Sequence, residues 1–113
     1  MPRELPAQRP ERAPTHPGAI LREDVLPALR MTVTRFAGYL GVTRQQVHRV
    51  LAEQSAVSPD MAWRLGKLLG NGPDLWIRMQ EAHDLWHARQ RLGKELDRIP
   101  TWNRYSKLPE AKA

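Results

Sequence analysis

Arg44, Gln45, Gln46, His48 and Arg49 follow one another between Thr43 and Val50. Their side chains offer the donors and acceptors that the edges of base pairs require. An arginine guanidinium pairs bidentately with guanine O6 and N7, and a glutamine amide does the same with adenine N6 and N7. Arg44 and Gln45 open the run, where the first turn of a helix points side chains down into a major groove, so they are the expected base readers. Arg49 projects from a face about 140° away from Arg44 at ~100° per residue; it is expected to meet a base edge further along, or a phosphate. Gln46 and His48 flank the base-facing side. Thr34 and Thr43, each read as a helix cap, can present hydroxyl and backbone N–H groups to phosphates. Arg35 is a further candidate phosphate contact.

A row of this kind reads sequence only when a rigid pair of helices presents it. Residues 34–51, TRFAGYLGVTRQQVHRVL, have the composition of such a pair. Ala37 is small enough to let two helices approach, and Gly41 can take the left-handed turn between them without steric penalty. Leu40, Val42, Val47 and Val50 would form the buried seam. Thr34 is expected to cap a helix over 35–40 and Thr43 one over 44–51.

Upstream, Pro17 suits the first turn of a helix. Ile20, Leu21, Val25, Ala28 and Leu29 recur at helical spacing. Pro27 removes the hydrogen bond back to Glu23, so this first helix should end near Leu26 or loosen there. Residues 52–57 read as a loop. Ser58-Pro59-Asp60 starts a fourth helix through Met61, Leu65, Leu68 and Leu69, which Gly70-Asn71-Gly72 stops. Pro73-Asp74, with Gly72 as the cap, begins a fifth that Pro100 bars from continuing. No strand signal is strong. The expectation is an all-α fold of five helices: a disordered arm over 1–15, a helix-turn-helix domain over 16–90, and a partly helical C-terminal extension over 91–113.

The fifth helix carries two apolar stripes. Leu75, Met79, Ala82 and Trp86 form one, expected to pack on the first four helices. Leu85, Leu92, Leu96 and Ile99 form another, which is surplus in a small domain and is the expected dimer contact. A lone helix-turn-helix spans few base pairs. A two-fold dimer would set two reading helices ~34 Å apart on one face of an inverted repeat. The alternative is that the tail, with Trp102 and Tyr105, folds back over this stripe.

Charge points to the same partner. Eighteen Lys+Arg against twelve Asp+Glu give the 113-residue chain a net charge of +6, which favours a polyanion. No acidic residue lies between Asp24 and Glu53, whereas Arg30, Arg35, Arg44 and Arg49 do. The proline-rich N-terminal arm could track a minor groove through Arg3, Arg9 and Arg12, although a solvated tail is the plainer reading. With no cysteine, a thiolate metal site, a disulfide scaffold and a cysteine nucleophile are excluded, which suits a reducing cytoplasm. No apolar run approaches the ~20 residues that span a bilayer, and the first residues lack the apolar core of a secretory signal. His83 and His87 share a helix face but have no third ligand, so packing is expected there and no metal or cofactor. Of Trp63, Trp76, Trp86 and Trp102, three are expected to be buried in helices rather than stacked on bases. No phosphate loop, acid pair or nucleophile–base spacing suggests an enzyme.

Three segments together, HPGAILREDVLPAL, TRFAGYLGVTRQQVHRVLAE and VSPDMAWRLGKLLGNGPDLWIRMQEAHDLW, resemble the HigA/VapI group of addiction-module antitoxins, within the Xre-like (lambda-repressor-like) helix-turn-helix superfamily. The resemblance covers residues 16–86 and is most specific in SPDMAWRL and PDLWIRMQEAHDLW. Gly72 departs from the family, whose members usually place serine or threonine before this proline. The resemblance implies a cytoplasmic dimer that represses its own operon and, in many members, neutralises a HigB-type ribonuclease toxin. Some relatives are orphan regulators with no toxin partner.

Overall fold

The computed structural model describes residues 12–103, and its first helix runs straight through Pro27. This helix, α1, joins an α-turn Pro17–Ile20, a π-helical segment Leu21–Val25 and a second α-turn Leu26–Leu29. The Leu26 N–H reaches back to the Leu21 carbonyl, one residue further than an α-helix would allow. Proline lacks an N–H and crowds the carbonyl upstream of it; a widened turn ahead of it relieves both problems. The helix therefore loosens rather than ends. The extra residue in that turn rotates the last turn of the helix about its axis. Leu21 and Leu26 are buried, with Ile20 and Val25 partly so, whereas Ala28 and Leu29, expected in the core, are exposed.

Helix α2 spans Val33–Leu40, and its cap is Thr32, not Thr34. The Thr32 hydroxyl accepts from the Arg35 N–H at 3.1 Å. Both threonines suit a cap by type. Val33 packs against the core and belongs to the helix, which leaves the extended residue before it as the cap and Thr34 exposed in the first turn. Helix α3, Arg44–Leu51, begins at the expected Thr43 cap. Helix α4, Pro59–Leu69, starts with Ser58 accepting from the Met61 N–H at 3.1 Å and stops at Gly70. Helix α5 covers Asp74–Leu92. Its cap position is Pro73 rather than Gly72, with no side-chain cap and Asp74 in the first turn to favour the positive end of the helix dipole. Gly93 stops α5, and a single turn, α6 (Lys94–Asp97), comes after it.

The core is built around Leu21, Phe36, Val57, Leu65 and Trp76. α1 packs on α3 and α5, α2 on α3 and α4, and α4 on α5. The buried face of α5 is not the expected apolar stripe: Leu75 and Ala82 are exposed, and Met79 and Trp86 only partly covered. Trp76 and Gln80 point inward instead. Gln80 Oε1 accepts from the Val57 N–H at 2.7 Å, and its amide donates to Asp84 at 3.0 Å. A glutamine bonded through both its oxygen and its amide thus holds the α3–α4 loop, a satisfaction that hydrophobic periodicity cannot register.

The tryptophans also divide differently than expected. Trp76 is 2% exposed, while Trp63 and Trp102 are 66% and 65% exposed, and Trp86 is intermediate. Arg3, Arg9 and Tyr105 lie outside the described residues.

Candidate nucleic-acid interface

The hinge between α2 and α3 is short and tightly bonded. Gly41 has φ +75°, a value that only glycine adopts without strain. Its N–H and that of Val42 return to the carbonyls of Ala37 and Gly38. Thr43 then opens α3 with a reciprocal capping box. Its hydroxyl oxygen accepts from the Gln46 N–H at 3.0 Å, and Gln46 Oε1 accepts from the Thr43 N–H at 2.9 Å. The Thr43 hydroxyl proton also points at Gln46 Oε1, 3.1 Å away. Thr43 followed by glutamine three residues on is the sequence signature of this box, and it shows that the Gln46 carbonyl is already engaged within the helix.

Val47, Val50 and Leu51 face the core. At ~100° per residue the opposite face of α3 is centred between Gln45 and Arg49, which lie about 40° apart around the axis. Arg44 and His48 form one shoulder of that face and Gln46 the other; all five are exposed. Arg49, remote from Arg44, is thus next to Gln45. Arg35 on α2 is exposed, with its guanidinium carbon 6.0 Å from the Tyr39 ring centroid and a hydrogen bond of 3.4 Å to the Tyr39 hydroxyl. Among the described residues neither Arg44 nor Arg49 has a carboxylate partner. The face keeps its positive potential for an external anion.

Residues outside the helix pair hold it in place, and sequence reasoning missed them. Arg22 on α1 donates to the Leu51 carbonyl at 2.6 Å, in the last turn of α3, and to Glu53 at 3.3 Å and Glu23 at 2.7 Å. Those two carboxylates, Glu23 first, raise the Arg22 pKa above its ordinary value. A guanidinium at the negative end of α3 favours the helix dipole and satisfies a terminal carbonyl.

His16 is 4% exposed and caps α1, its Nδ1 accepting from the Gly18 N–H at 2.9 Å. The His83 ring stands edge-on to it at 4.9 Å, and His87 lies 4.4 Å beyond His83. Burial, then repulsion from His83, lowers the His16 pKa below 6.5, against weaker pulls from Glu53, Asp84 and the Ser55 backbone. The unfolded chain therefore takes up this proton first. Stability from His16 is complete above pH 6.5 and is lost as pH falls below it. Melting temperature should drop in acid, and His16→Asn, which keeps a cap acceptor without titrating, should flatten that drop. Identical pH profiles for both proteins would refute this assignment.

The expected dimer residues are largely uncovered. Leu85 is 71% exposed, Leu92 and Ile99 are exposed, and Leu96 is partly buried. Gly93 interrupts their stripe, so Leu85 and Leu92 sit on α5 and the other two beyond the break. Among the described residues no group of His, Cys, Asp or Glu could hold a metal ion, and no helix is long and apolar enough to cross a membrane.

No protein-family profile matches the chain. Virulence-associated protein I of Dichelobacter nodosus is 34% identical over 86 residues, covering 76% of this chain and 80% of that protein. Antitoxin HigA-1 of Vibrio cholerae is 31% identical over 88 residues, covering 78% of this chain and 83% of its own length. The solved structure of antitoxin GraA in complex with its operator superposes with a TM-score of 0.77 at 34% identity, over 85% of this chain and 98% of that one. The glycine hinge, the capped helix after it and these relatives agree: the chain belongs to the HigA/VapI-like family of Xre-type helix-turn-helix antitoxins, transcription regulators rather than enzymes.

Proposed function

We propose that this protein is a sequence-specific repressor that binds, as a homodimer, an inverted repeat in the operator of its own gene. Residues 16–90 form the reading domain, and residues 1–15 and 91–113 are accessory. Each α3 enters a major groove. Arg44 and Gln45 read base edges, Arg49 completes the row beside Gln45, and Gln46 and His48 border it. Thr34, Arg35 and Thr43 hold phosphates. The dimer forms through Leu85, Leu92, Leu96 and Ile99, and light scattering should give twice the 13.0 kDa chain mass. The protein works in the cytoplasm, where its operator lies.

The observation that carries this reading is the exposed, acid-free face of α3 centred on Gln45 and Arg49. The solved structure of antitoxin GraA in complex with its operator supports it. Gel shifts on a duplex from the region upstream of the gene, against a random duplex of equal length, provide the test. Arg44→Ala or Gln45→Ala should cost ~1–3 kcal/mol on the upstream duplex and little on the random one. Arg35→Ala should weaken both and flatten the salt dependence. Equal losses on both duplexes for Arg44→Ala and Gln45→Ala would remove them from base reading.

The antitoxin relative HigA-1 supports a second half to the function, neutralisation of a HigB-type ribonuclease toxin. Co-purification with the product of an adjacent small gene checks it. A gene with no such neighbour makes the protein an orphan regulator.

A further inference from the structure

The last carbonyls of α2 lie next to the hinge, and one of them is satisfied from another helix. Arg64, on α4, donates from Nη1 to the Leu40 carbonyl at 2.8 Å and lies 3.4 Å from that of Gly41. The Ala37 and Gly38 carbonyls already receive the N–H groups of Gly41 and Val42. Leu40, at the very end of the helix, depends on the arginine. A Cβ built on Gly41 would stand 3.1 Å from the same Nη1, so the hinge glycine also leaves room for this guanidinium. Arg64 is exposed.

We infer that Arg64 is a positioning residue for DNA reading: it clamps the α2 terminus and so sets the angle at which α3 leaves the hinge. The inference rests on the proposed repressor function and deepens it. Only Gly41, Val42 and Thr43 separate α2 from α3. A carbonyl held against α4 therefore leaves α3 little freedom to tilt. Reading bases demands a definite depth and angle, whereas phosphate attraction tolerates a tilted helix. Arg64 should accordingly control preference among sequences more than total affinity.

The test compares the full-length wild type with Arg64→Ala and Arg64→Lys on the upstream and random duplexes, across a salt series. Arg64→Ala should reduce the ratio of the two affinities by about tenfold, the size of losing one base-reading contact. Its affinity for the random duplex and its salt slope should stay near wild type. Arg64→Lys keeps a donor and the charge, and should recover most of the ratio. Equal losses on both duplexes with a flatter salt slope would make Arg64 a phosphate contact and overturn the clamp. So would an unchanged ratio, an alanine variant that fails to fold, or a folded lysine variant as impaired as alanine. Should the wild type itself show no preference for the upstream duplex, the repressor reading fails first, and that outcome is distinct from all of these.

Discussion

Trp76→Ala is expected to lower the unfolding free energy by about 3–5 kcal/mol, as for other fully buried large side chains. A domain of this size has only ~5–15 kcal/mol in total, so this one change places the fold near the edge of stability. Trp76 is 2% exposed in the core where α4 meets α5, and its indole N–H donates to Asn71 Oδ1 at 3.2 Å. Truncation removes the ring, opens a cavity and leaves that asparagine oxygen without its donor. Trp63, on the surface of α4, provides the control: Trp63→Ala should cost under ~0.5 kcal/mol. Urea unfolding of both variants settles the matter. Comparable losses would mean that Trp76 is not the anchor of α5.

Gly18→Ala should be almost as damaging, at about 3 kcal/mol, the upper end of the range for overpacking. A Cβ at Gly18 would fall inside the van der Waals shell of the Val50 carbonyl oxygen and 3.1 Å from His16 Nδ1. The obstacle is helix backbone, which cannot swing aside as a side chain would. α1 and α3 would have to separate, so the variant should also lose its preference for the upstream duplex even where it remains folded. Gly38→Ala provides the contrast. Nothing lies within 4 Å of a Cβ there, and alanine in a helix is better than glycine by ~0.5–1 kcal/mol. Thermal melts should move in opposite directions for the two variants. A Gly18→Ala protein as stable as wild type would contradict the close approach of α1 to α3.

Features written within a few adjacent residues were legible in the chain. Ser58-Pro59-Asp60, Thr43 and Gly41 act on backbone groups within a turn of themselves, and local chemistry places a cap or a left-handed turn without reference to the rest of the fold. The buried seam of Leu40, Val47 and Val50, with Val42 partly covered, comes from a strong helical period across α2 and α3. Pro27 announced a disturbance in α1, although its form, a π turn that carries Ala28 and Leu29 out to solvent, depends on how the helix docks. The expected cap Thr34 gave way to Thr32 because Val33 packs against the core and so joins the helix.

Chain order and residue type were thus enough to specify an all-α helix pair and the row of side chains on its outer face, because caps, the hinge turn and the helical period are set by neighbouring residues. Which face of α5 turns inward, which tryptophan becomes the anchor, and how α2 and α3 are braced required the assembled fold. Arg22 meets Leu51 across 29 positions of sequence, Arg64 meets Leu40 across 24, and Gln80 meets Val57 across 23. Such hydrogen bonds leave no periodicity behind, since they form only after packing has brought an unsatisfied carbonyl or N–H within reach of a side chain from elsewhere in the chain.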